Sequence, residues 1–494
     1  MVVFDGPTPR HGDARSSAQL IQRRMPIGAL SRPVVAAVVA AIASIQLVAS
    51  WSLLHRPINV DESFTVITVR GGLSSLLSGV RADPGMAAYY VPLWLFRHFT
   101  GAGIVELRLV SFAFHVMVVA GICAWADRRG RLAVGAALAL LLGLTPTLRV
   151  AAVEARAYAL AELAAIAAVA LVVRAVGFPT RPKEWGAAVG IGFLALVHPS
   201  SLGVASFLWL AFFFLAWRNR RVGLPHVATA LIVAGAGFAG LMQAESSTSA
   251  ARTGIAGLTS TLSALFGASL IAGVLLIAVV SVAVAFDGRS DPVAVVALGG
   301  ALTYVGLCIV TLPLVDIAPS NPRYWVATAA LVTLAGAVVG ARQWRHTILL
   351  GTIIACLAVS VVRHDSELDR GYAFCSDATR LATGVGVSDQ VIFEPPVVRS
   401  MVVACLDETD AASLRIRAKF FPPVAPEDMT DPRVLFLGAG TDLKVVRFDP
   451  PGHSWIIADD VTKPSVEHLL ARFRAAGAAC TAVSDSLIDC GPTD

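Results

Sequence analysis

Charged residues are scarce in this chain. Asp, Glu, Lys and Arg make up only 15% of its 494 residues, whereas hydrophobic residues make up 56%. Soluble globular proteins carry about 25% charged and about 45–50% apolar residues. This shortage of charge excludes an ordinary soluble domain and predicts a polytopic, mainly α-helical membrane protein. The formal net charge of +5 reflects mostly loop arginines, so it does not indicate nucleic-acid binding.

Several common signals are missing as well. The seven cysteines and ten histidines show no zinc-site spacing, and no Ser-His-Asp motif stands out. No short apolar segment with a cleavage site precedes the first long apolar run, so we expect no cleavable signal peptide. Any chemistry then rests on residues outside these motifs.

Long apolar runs are abundant. Eleven of them approach or reach the roughly 20 residues that a membrane-spanning helix needs. They are 34–53, 107–126, 131–148, 157–176, 184–199, 200–217, 225–243, 260–286, 293–314, 323–340 and 346–362. We therefore predict about eleven spans.

Arginine placement sets the expected orientation of these helices. Cytoplasmic loops of membrane proteins carry an excess of Lys and Arg. If the short apolar stretch 86–99 does not cross, the Arg-rich loops all fall on the cytoplasmic side, and they contain Arg128, Arg129, Arg131, Arg181, Lys183, Arg218, Arg220, Arg221, Arg289, Arg342 and Arg345. We therefore expect this stretch to lie as an interfacial helix on the outer face, with Tyr89, Tyr90 and Trp94 at headgroup depth.

This orientation divides the chain into three parts. A cytoplasmic tail, 1–33, precedes the transmembrane domain 34–362, whose first outer loop is 55–106. The remaining residues, 363–494, combine short β-rich runs such as QVIFEP and SWIIAD with the helical pattern SVEHLLARFRAAG. We expect them to form a small α/β domain outside the membrane.

Four cysteines lie in that last part, namely Cys375, Cys405, Cys480 and Cys490. An even number of cysteines in an extracytoplasmic domain suggests disulfides. Three pairings are possible, and the hairpin-like CTAVSDSLIDC favours Cys480–Cys490 together with Cys375–Cys405. Four reduced, buried thiols are the alternative.

Polar residues collect on the side of the chain that we expect to face outward. They are Asp61, Glu62, Asp83, Glu154, Arg156, Tyr158, His198, Asn321, Arg323 and Tyr324. Charged groups near a membrane are costly and usually mark function. A carboxylate can accept a proton from an attacking hydroxyl, and arginines bind phosphate through paired hydrogen bonds. This combination fits sugar transfer from a lipid-phosphate donor.

Four stretches resemble the GT-C glycosyltransferases, a membrane class that uses polyprenyl-phosphate sugars and includes protein mannosyltransferases and aminoarabinose transferases. They are the acidic pair in NVDESF, the tyrosine pair and R-L-x-S element in DPGMAAYYVPLWLFRHFTGAGIVELRLVS, and the elements EARAYAL and NPRYW. The second stretch has DPGMAA where the family usually has H-P-P-L. The resemblance covers about residues 30–340 in outline and implies an actinobacterial source, and the prevalence of Ala, Gly and Arg suggests a GC-rich genome.

The resemblance implies roles for the outer-face residues. Asp61 would be the general base, with Glu62 orienting the acceptor or sharing that role and Asp83 as a second cleft carboxylate. The donor phosphate would be bound by Arg156, Tyr158, His198, Arg323 and Tyr324. Tyr89, Tyr90 and Trp94 would contact acceptor or lipid. Family members with monophosphate donors are inverting and metal-independent, and a divalent cation such as Mg²⁺ or Mn²⁺ on the carboxylates is the alternative.

The resemblance therefore implies a glycosyltransferase that moves mannose or arabinofuranose to a cell-envelope glycan, glycolipid or protein. Two other classes remain open from sequence. A transporter or lipid flippase would use charged residues near the midplane, where Glu162 is the notable case. A non-catalytic scaffold or sensor would use the outer domain to bind a ligand.

Overall fold

A computed structural model describes the chain in separate ranges. These are residues 32–56, 58, 60–82, 86–246, 277–278, 280–282, 284–285, 291–315, 325–339, 377–381, 390–394, 405, 434–436, 453–458, 464–484 and 487–492. Of the candidate residues, Asp83, Arg323, Tyr324 and Cys375 lie outside these ranges, and at Asp61 only the backbone is described. The expected span 346–362 and most of 260–286 also lie outside them.

Helices dominate the described part of residues 32–339. They are α1 (Arg32–Ala49), α2 (Trp51–His55), α3 (Val60–Arg70), α4 (Leu73–Ala82), α5 (Ala87–Thr100), α6 (Ile104–Asp127), α7 (Leu132–Leu144), α8 (Pro146–Val153), α9 (Tyr158–Gly177), α10 (Arg181–Val197), α11 (Leu202–Arg218), α12 (Leu224–Ser246), α13 (Pro292–Val315) and α14 (Val326–Val339).

Two of the expected spans are interrupted. The run 34–53 breaks between α1 and α2 at Ser50, and the run 131–148 bends by 80° between α7 and α8. Pro146 opens α8 at its first position, where a missing backbone N–H costs no helical hydrogen bond. The bend turns α8 out of the direction of α7. Residues 154–157 follow α8 and lie beside Glu62 and Tyr90.

Four helical segments in the described ranges are long and apolar enough to cross a membrane, and the bent pair α7–α8 makes a fifth candidate. The four are α1, α6, α9 and the segment Pro199–Arg218 that contains α11. Shorter apolar segments occur in α12, α13 and α14. The expected total of eleven spans stays a prediction.

The buried core of the helical part centres on α9. This helix packs against α6, α10 and α14, and α14 also packs against α7 and α13. Buried Ala, Val and Leu side chains line these contacts. Small residues permit close approach of helices where lipid offers no hydrophobic driving force.

The described C-terminal residues form a mixed five-stranded sheet in the order β2-β1-β3-β5-β4. Its elements are β1 (Gln390–Glu394), β2 (Val434–Phe436), β3 (Ser454–Ala458), α15 (Pro464–Ala475), β4 (Ala478–Ala482) and β5 (Leu487–Pro492). Strand β1 is parallel to β2 and β3, whereas β5 is antiparallel to β3 and β4. One sheet face packs against α15, so a small α/β unit is present as predicted.

Strands β4 and β5 form the hairpin that the cysteine spacing predicted. Cys480 and Cys490 lie directly opposite each other and form a disulfide, with a Cα–Cα distance of 4.0 Å. Cys405 is also disulfide-bonded. Its predicted pairing with Cys375 stays a prediction, because Cys375 is not described.

Candidate active site

The acidic pair of NVDESF lies at the start of α3, a helix in the loop after the first apolar run. Glu62 is fully buried there, and its carboxylate accepts hydrogen bonds from two nitrogens of one guanidinium. Arg108 Nε donates to Glu62 Oε1 at 2.8 Å and its Nη2 donates to Oε2 at 2.6 Å. Such paired, charge-assisted hydrogen bonds fix geometry as well as charge.

Arg108 also caps the short helix α2. Its Nη1 donates to the carbonyl oxygens of Leu54 at 2.8 Å and of Arg56 at 2.6 Å. The last carbonyls of a helix lack partners within the helix, and a cation there is favourable. One side chain near the N-terminal end of α6 thus holds both the end of α2 and the start of α3.

Glu62 extends this network to the segment between α8 and α9. Its Oε1 accepts the backbone N–H of Ala155 at 3.1 Å. The guanidinium of Arg56 lies 3.9 Å from the Glu62 carboxylate and 3.7 Å from that of Glu154. The two carboxylates are therefore bridged by a second arginine.

These contacts determine the charge of Glu62. Burial favours its protonated form, but the hydrogen bonds and charge of Arg108, helped by Arg56 and the Ala155 N–H, outweigh burial and lower the pKa of the Glu62 carboxyl. An ionised carboxylate whose oxygens are engaged in this way is suited to hold structure. The geometry favours an orienting role for Glu62 over that of proton acceptor.

Arg156 lies in the break between α8 and α9 and is 8% exposed. Its Nη1 donates to the hydroxyl of Tyr90 at 3.1 Å, and that hydroxyl donates to the Met86 sulfur at 3.6 Å. The second tyrosine of α5, Tyr89, shares a 2.9 Å hydrogen bond with Ser111 Oγ of α6. Both tyrosine side chains are buried, so their contacts with lipid or acceptor stay a prediction.

Trp94 anchors the same helix from its other side. Its indole Nε1 donates to the carbonyl oxygen of Gly71 at 2.9 Å, just beyond the end of α3. The next turn of α5 ends at Gly101, whose φ of 69° closes the helix with a left-handed cap. Helix α5 is thus fixed against α3 by Trp94 and against α6 and the α8–α9 break by the tyrosine pair.

Tyr158 and His198 form the next contact, with ring centroids 5.1 Å apart. His198 Nδ1 accepts the backbone N–H of Ser200 at 3.2 Å and lies 2.7 Å from the Ser200 hydroxyl. Burial lowers the pKa of His198 to about 3, and the nearby Arg156 charge adds to this. The ring is therefore neutral at physiological pH, with its proton on Nε2.

Sequence reasoning missed three residues of this site: Arg56, Arg108 and Ser111. A signal for two of them was present, since Arg108 and Ser111 are the first and last residues of R-L-V-S. Among the described residues the motifs contact one another: Glu62 of the acidic pair meets R-L-V-S, the tyrosine pair meets R-L-V-S and EARAYAL, and EARAYAL meets His198. In the part of the chain with described placement, no group of three or more His, Cys, Asp or Glu could hold a metal ion.

Comparison with known proteins bears on the fold. No protein-family model matches the sequence, and no curated protein matches it either. Among solved structures, the apo crystal structure of ArnT from Cupriavidus metallidurans matches with a TM-score of 0.55 over 92% of this chain and 97% of that chain, at 11% sequence identity. The chain has the fold of ArnT. At this sequence identity the likeness shows a shared fold alone, and the mainly helical architecture with apolar helices of span length agrees with the predicted polytopic helical protein.

Proposed function

We propose that this protein is a GT-C-type glycosyltransferase that moves one sugar, mannose or arabinofuranose, from a polyprenyl-phosphate donor to an extracytoplasmic acceptor. The acceptor is a cell-envelope glycan, glycolipid or protein. The ArnT-like fold supports the general class. Fold alone does not carry function, so the proposal depends on the residues of the site.

One contact carries the proposal. Glu62 accepts the N–H of Ala155 at 3.1 Å, which joins the start of α3 to the α8–α9 break. Asp61 precedes Glu62 in the chain and Arg156 follows Ala155, so the proposed base and the proposed phosphate ligand sit on adjoining backbone. A transferase of this kind needs these two groups within one substrate's reach.

The proposed reaction is a single displacement. Asp61 accepts the proton of the acceptor hydroxyl while the oxygen of that hydroxyl attacks the anomeric carbon of the donor sugar. The bond from that carbon to the phosphate oxygen breaks, and the polyprenyl phosphate leaves with the electron pair. Arg156 neutralises the charge on the leaving phosphate, helped by Arg323 and Tyr324, while Tyr158 and neutral His198 supply hydrogen bonds. In this proposal Asp83 supplies a second carboxylate.

The surroundings of Glu162 disfavour the transporter alternative. Its side chain is fully buried, and Oε2 lies 2.8 Å from His115 Nδ1. A carboxylate that carries ions or protons across a membrane normally faces a water-filled path. Glu162 instead bonds one helix to another.

The test compares Asp61→Asn with Glu106→Gln in membranes supplied with labelled polyprenyl-phosphate sugars. Glu106 is an exposed carboxylate in the first turn of α6 and has no role in the proposed site, so it serves as the matched control. We expect Asp61→Asn to lose transfer by about 100-fold or more, because a general base contributes roughly 10²–10⁴-fold. Undiminished transfer by a folded Asp61→Asn variant would overturn the assigned base.

A further inference from the structure

A second group of buried polar side chains lies farther along the helices than the proposed site. His115 of α6 and Glu162 of α9 are each fully buried, and Nδ1 of the histidine lies 2.8 Å from Oε2 of the glutamate. His115 follows Arg108 by seven residues, or about two helical turns. Glu162 follows Tyr158 by four residues, or about one turn. The pair therefore joins α6 to α9 beneath the site.

His115 belongs to a polar stripe on one face of α6. Arg108, Ser111 and His115 are spaced three and four residues apart, which puts them on the same side of a helix. Each bonds a different element: Arg108 bonds Glu62 of α3, Ser111 bonds Tyr89 of α5, and His115 bonds Glu162 of α9. This face of α6 thus bonds α3, α5 and α9, and it fixes the three elements relative to one another.

Two further helices meet at the same point. Gln46 of α1 donates through Nε2 to the carbonyl oxygens of Ala139 at 2.9 Å and Leu140 at 3.3 Å in α7. A Cβ on Gly143 would lie 2.2 Å from Gln46 Nε2 and 2.7 Å from His115 Nε2. A larger residue at this position would require the Gln46 and His115 side chains to move, so the present packing of α1, α6 and α7 depends on this glycine.

Burial of these polar side chains is energetically unfavourable. Within the described residues, His115 Nε2, Glu162 Oε1 and Gln46 Oε1 are buried without hydrogen-bond partners. Burying polar groups costs free energy, so a buried polar pair is weak evidence for added stability. A role other than stability accounts better for the pair.

We propose that His115 and Glu162 are positioning residues. They fix where Arg156 and Tyr158 lie along the direction of the α9 axis, relative to Glu62 and Arg108. The proposal rests on the proposed function, in which Arg156 binds the donor phosphate. Helix α9 is hydrogen-bonded back to its start, since the Ala161 N–H donates to the Ala157 carbonyl at 2.8 Å. A slide of α9 along α6 would therefore move Arg156 directly, and the His115–Glu162 contact prevents that slide.

The experiment measures two quantities on the full chain in detergent: the Kd for a long-chain polyprenyl phosphate without sugar, and the thermal unfolding temperature. We expect His115→Leu and Glu162→Leu each to raise the Kd by about tenfold. The exchanged variant, His115→Glu with Glu162→His, restores the contact and should bring the Kd to within about threefold of wild type. If the leucine variants do not fold, His115→Gln and Glu162→Gln replace them, with an expected rise of about threefold.

His226→Leu is the matched control. His226 is also a fully buried histidine with Nε2 unpartnered among described residues, but it lies near the start of α12, where Nδ1 accepts the Gly223 N–H at 3.2 Å. We expect this variant to lower the unfolding temperature without changing the Kd. Equal Kd values for wild type and the His115 and Glu162 variants would overturn the positioning role. Wild-type protein that binds the lipid but transfers no sugar would overturn the proposed function, while the Kd comparison would still decide the positioning role.

Discussion

Arg108 and Glu62 meet through two parallel hydrogen bonds of 2.8 and 2.6 Å, and both side chains are fully buried. Planar guanidinium and carboxylate groups match each other in this geometry, which a lysine cannot reproduce. The contact joins two segments that are 46 residues apart in sequence. It fixes the start of α3, which carries Asp61, to the N-terminal part of α6.

Loss of this contact should destabilise the protein strongly. Arg108→Gln leaves the Glu62 carboxylate buried without its main partner, and breaking a buried pair costs about 3–5 kcal/mol. Arg108→Lys should cost less, because it keeps the charge and loses only the paired geometry. Denaturant or thermal unfolding of the detergent-solubilised protein measures both. Arg81→Gln, at an exposed arginine in the last turn of α4, is the control and should cost less than about 0.5 kcal/mol.

A second variant separates the pair from general damage to the core. Glu62→Gln with Arg108→Gln removes both charges at once, so we expect it to be more stable than the sum of the single changes implies. If the two single variants lose amounts of unfolding free energy that add up to the loss in the double variant, the two side chains act independently. That result would contradict the geometry described above.

The sequence predicted much of this site because its signals are local. Apolar runs of span length indicated α1, α6 and α9, and the short motifs indicated most residues of the site. The predicted hairpin between Cys480 and Cys490 is another local signal, since a short turn joins its strands. What the sequence could not show is which motif contacts which. The Glu62–Ala155 contact joins residues 93 apart, and it depends on how α3, α6 and the α8–α9 break pack together.

The bend after α7 shows a second limit of prediction from the sequence. Residues 131–148 form one apolar run, and hydropathy alone predicts one straight span. Pro146 interrupts the helical hydrogen-bond pattern here, because it lacks the N–H that would bond back to residue 142. The chain therefore turns by 80° and starts α8. After this turn and the short helix α8, the chain places Arg156 beside Tyr90.

The hydroxyl of Tyr90 should matter more for donor binding than for stability. Tyr90→Phe removes the oxygen that accepts from Arg156 Nη1 at 3.1 Å, and a hydrogen bond to a charged group is worth about 1.5–3 kcal/mol. If Arg156 binds the donor phosphate, we expect the Kd for polyprenyl phosphate to rise roughly tenfold. Binding titrations of the detergent-solubilised variant measure this.

Tyr89→Phe is the matched control for that measurement. Its hydroxyl bonds the neutral Ser111 at 2.9 Å rather than a guanidinium, so its removal should lower stability by about 1 kcal/mol and leave the lipid affinity within about twofold. Equal weakening of lipid binding by the two phenylalanine variants would contradict a specific role for the Tyr90–Arg156 contact.

The buried ring of His198 makes stability depend on pH in a predictable direction. Its pKa is about 3 in the folded protein, against 6.5 for a free histidine. Below pH 6.5 the unfolded chain binds a proton at this residue that the folded chain does not, so acidification favours unfolding. Above pH 6.5 both states are neutral there, and this contribution vanishes.

His198→Asn should remove that dependence while keeping the local structure, because the Asn side-chain oxygen can replace Nδ1 as acceptor of the Ser200 N–H. Relative to wild type, the variant should gain about 2 kcal/mol of stability between pH 7 and pH 5. Unfolding free energies measured at both pH values test this, and His55→Asn, at an exposed histidine of α2, gives the baseline. A difference between wild type and His198→Asn that stays constant with pH would show that the folded protein protonates His198 as readily as the unfolded chain, against the effect of burial on its pKa.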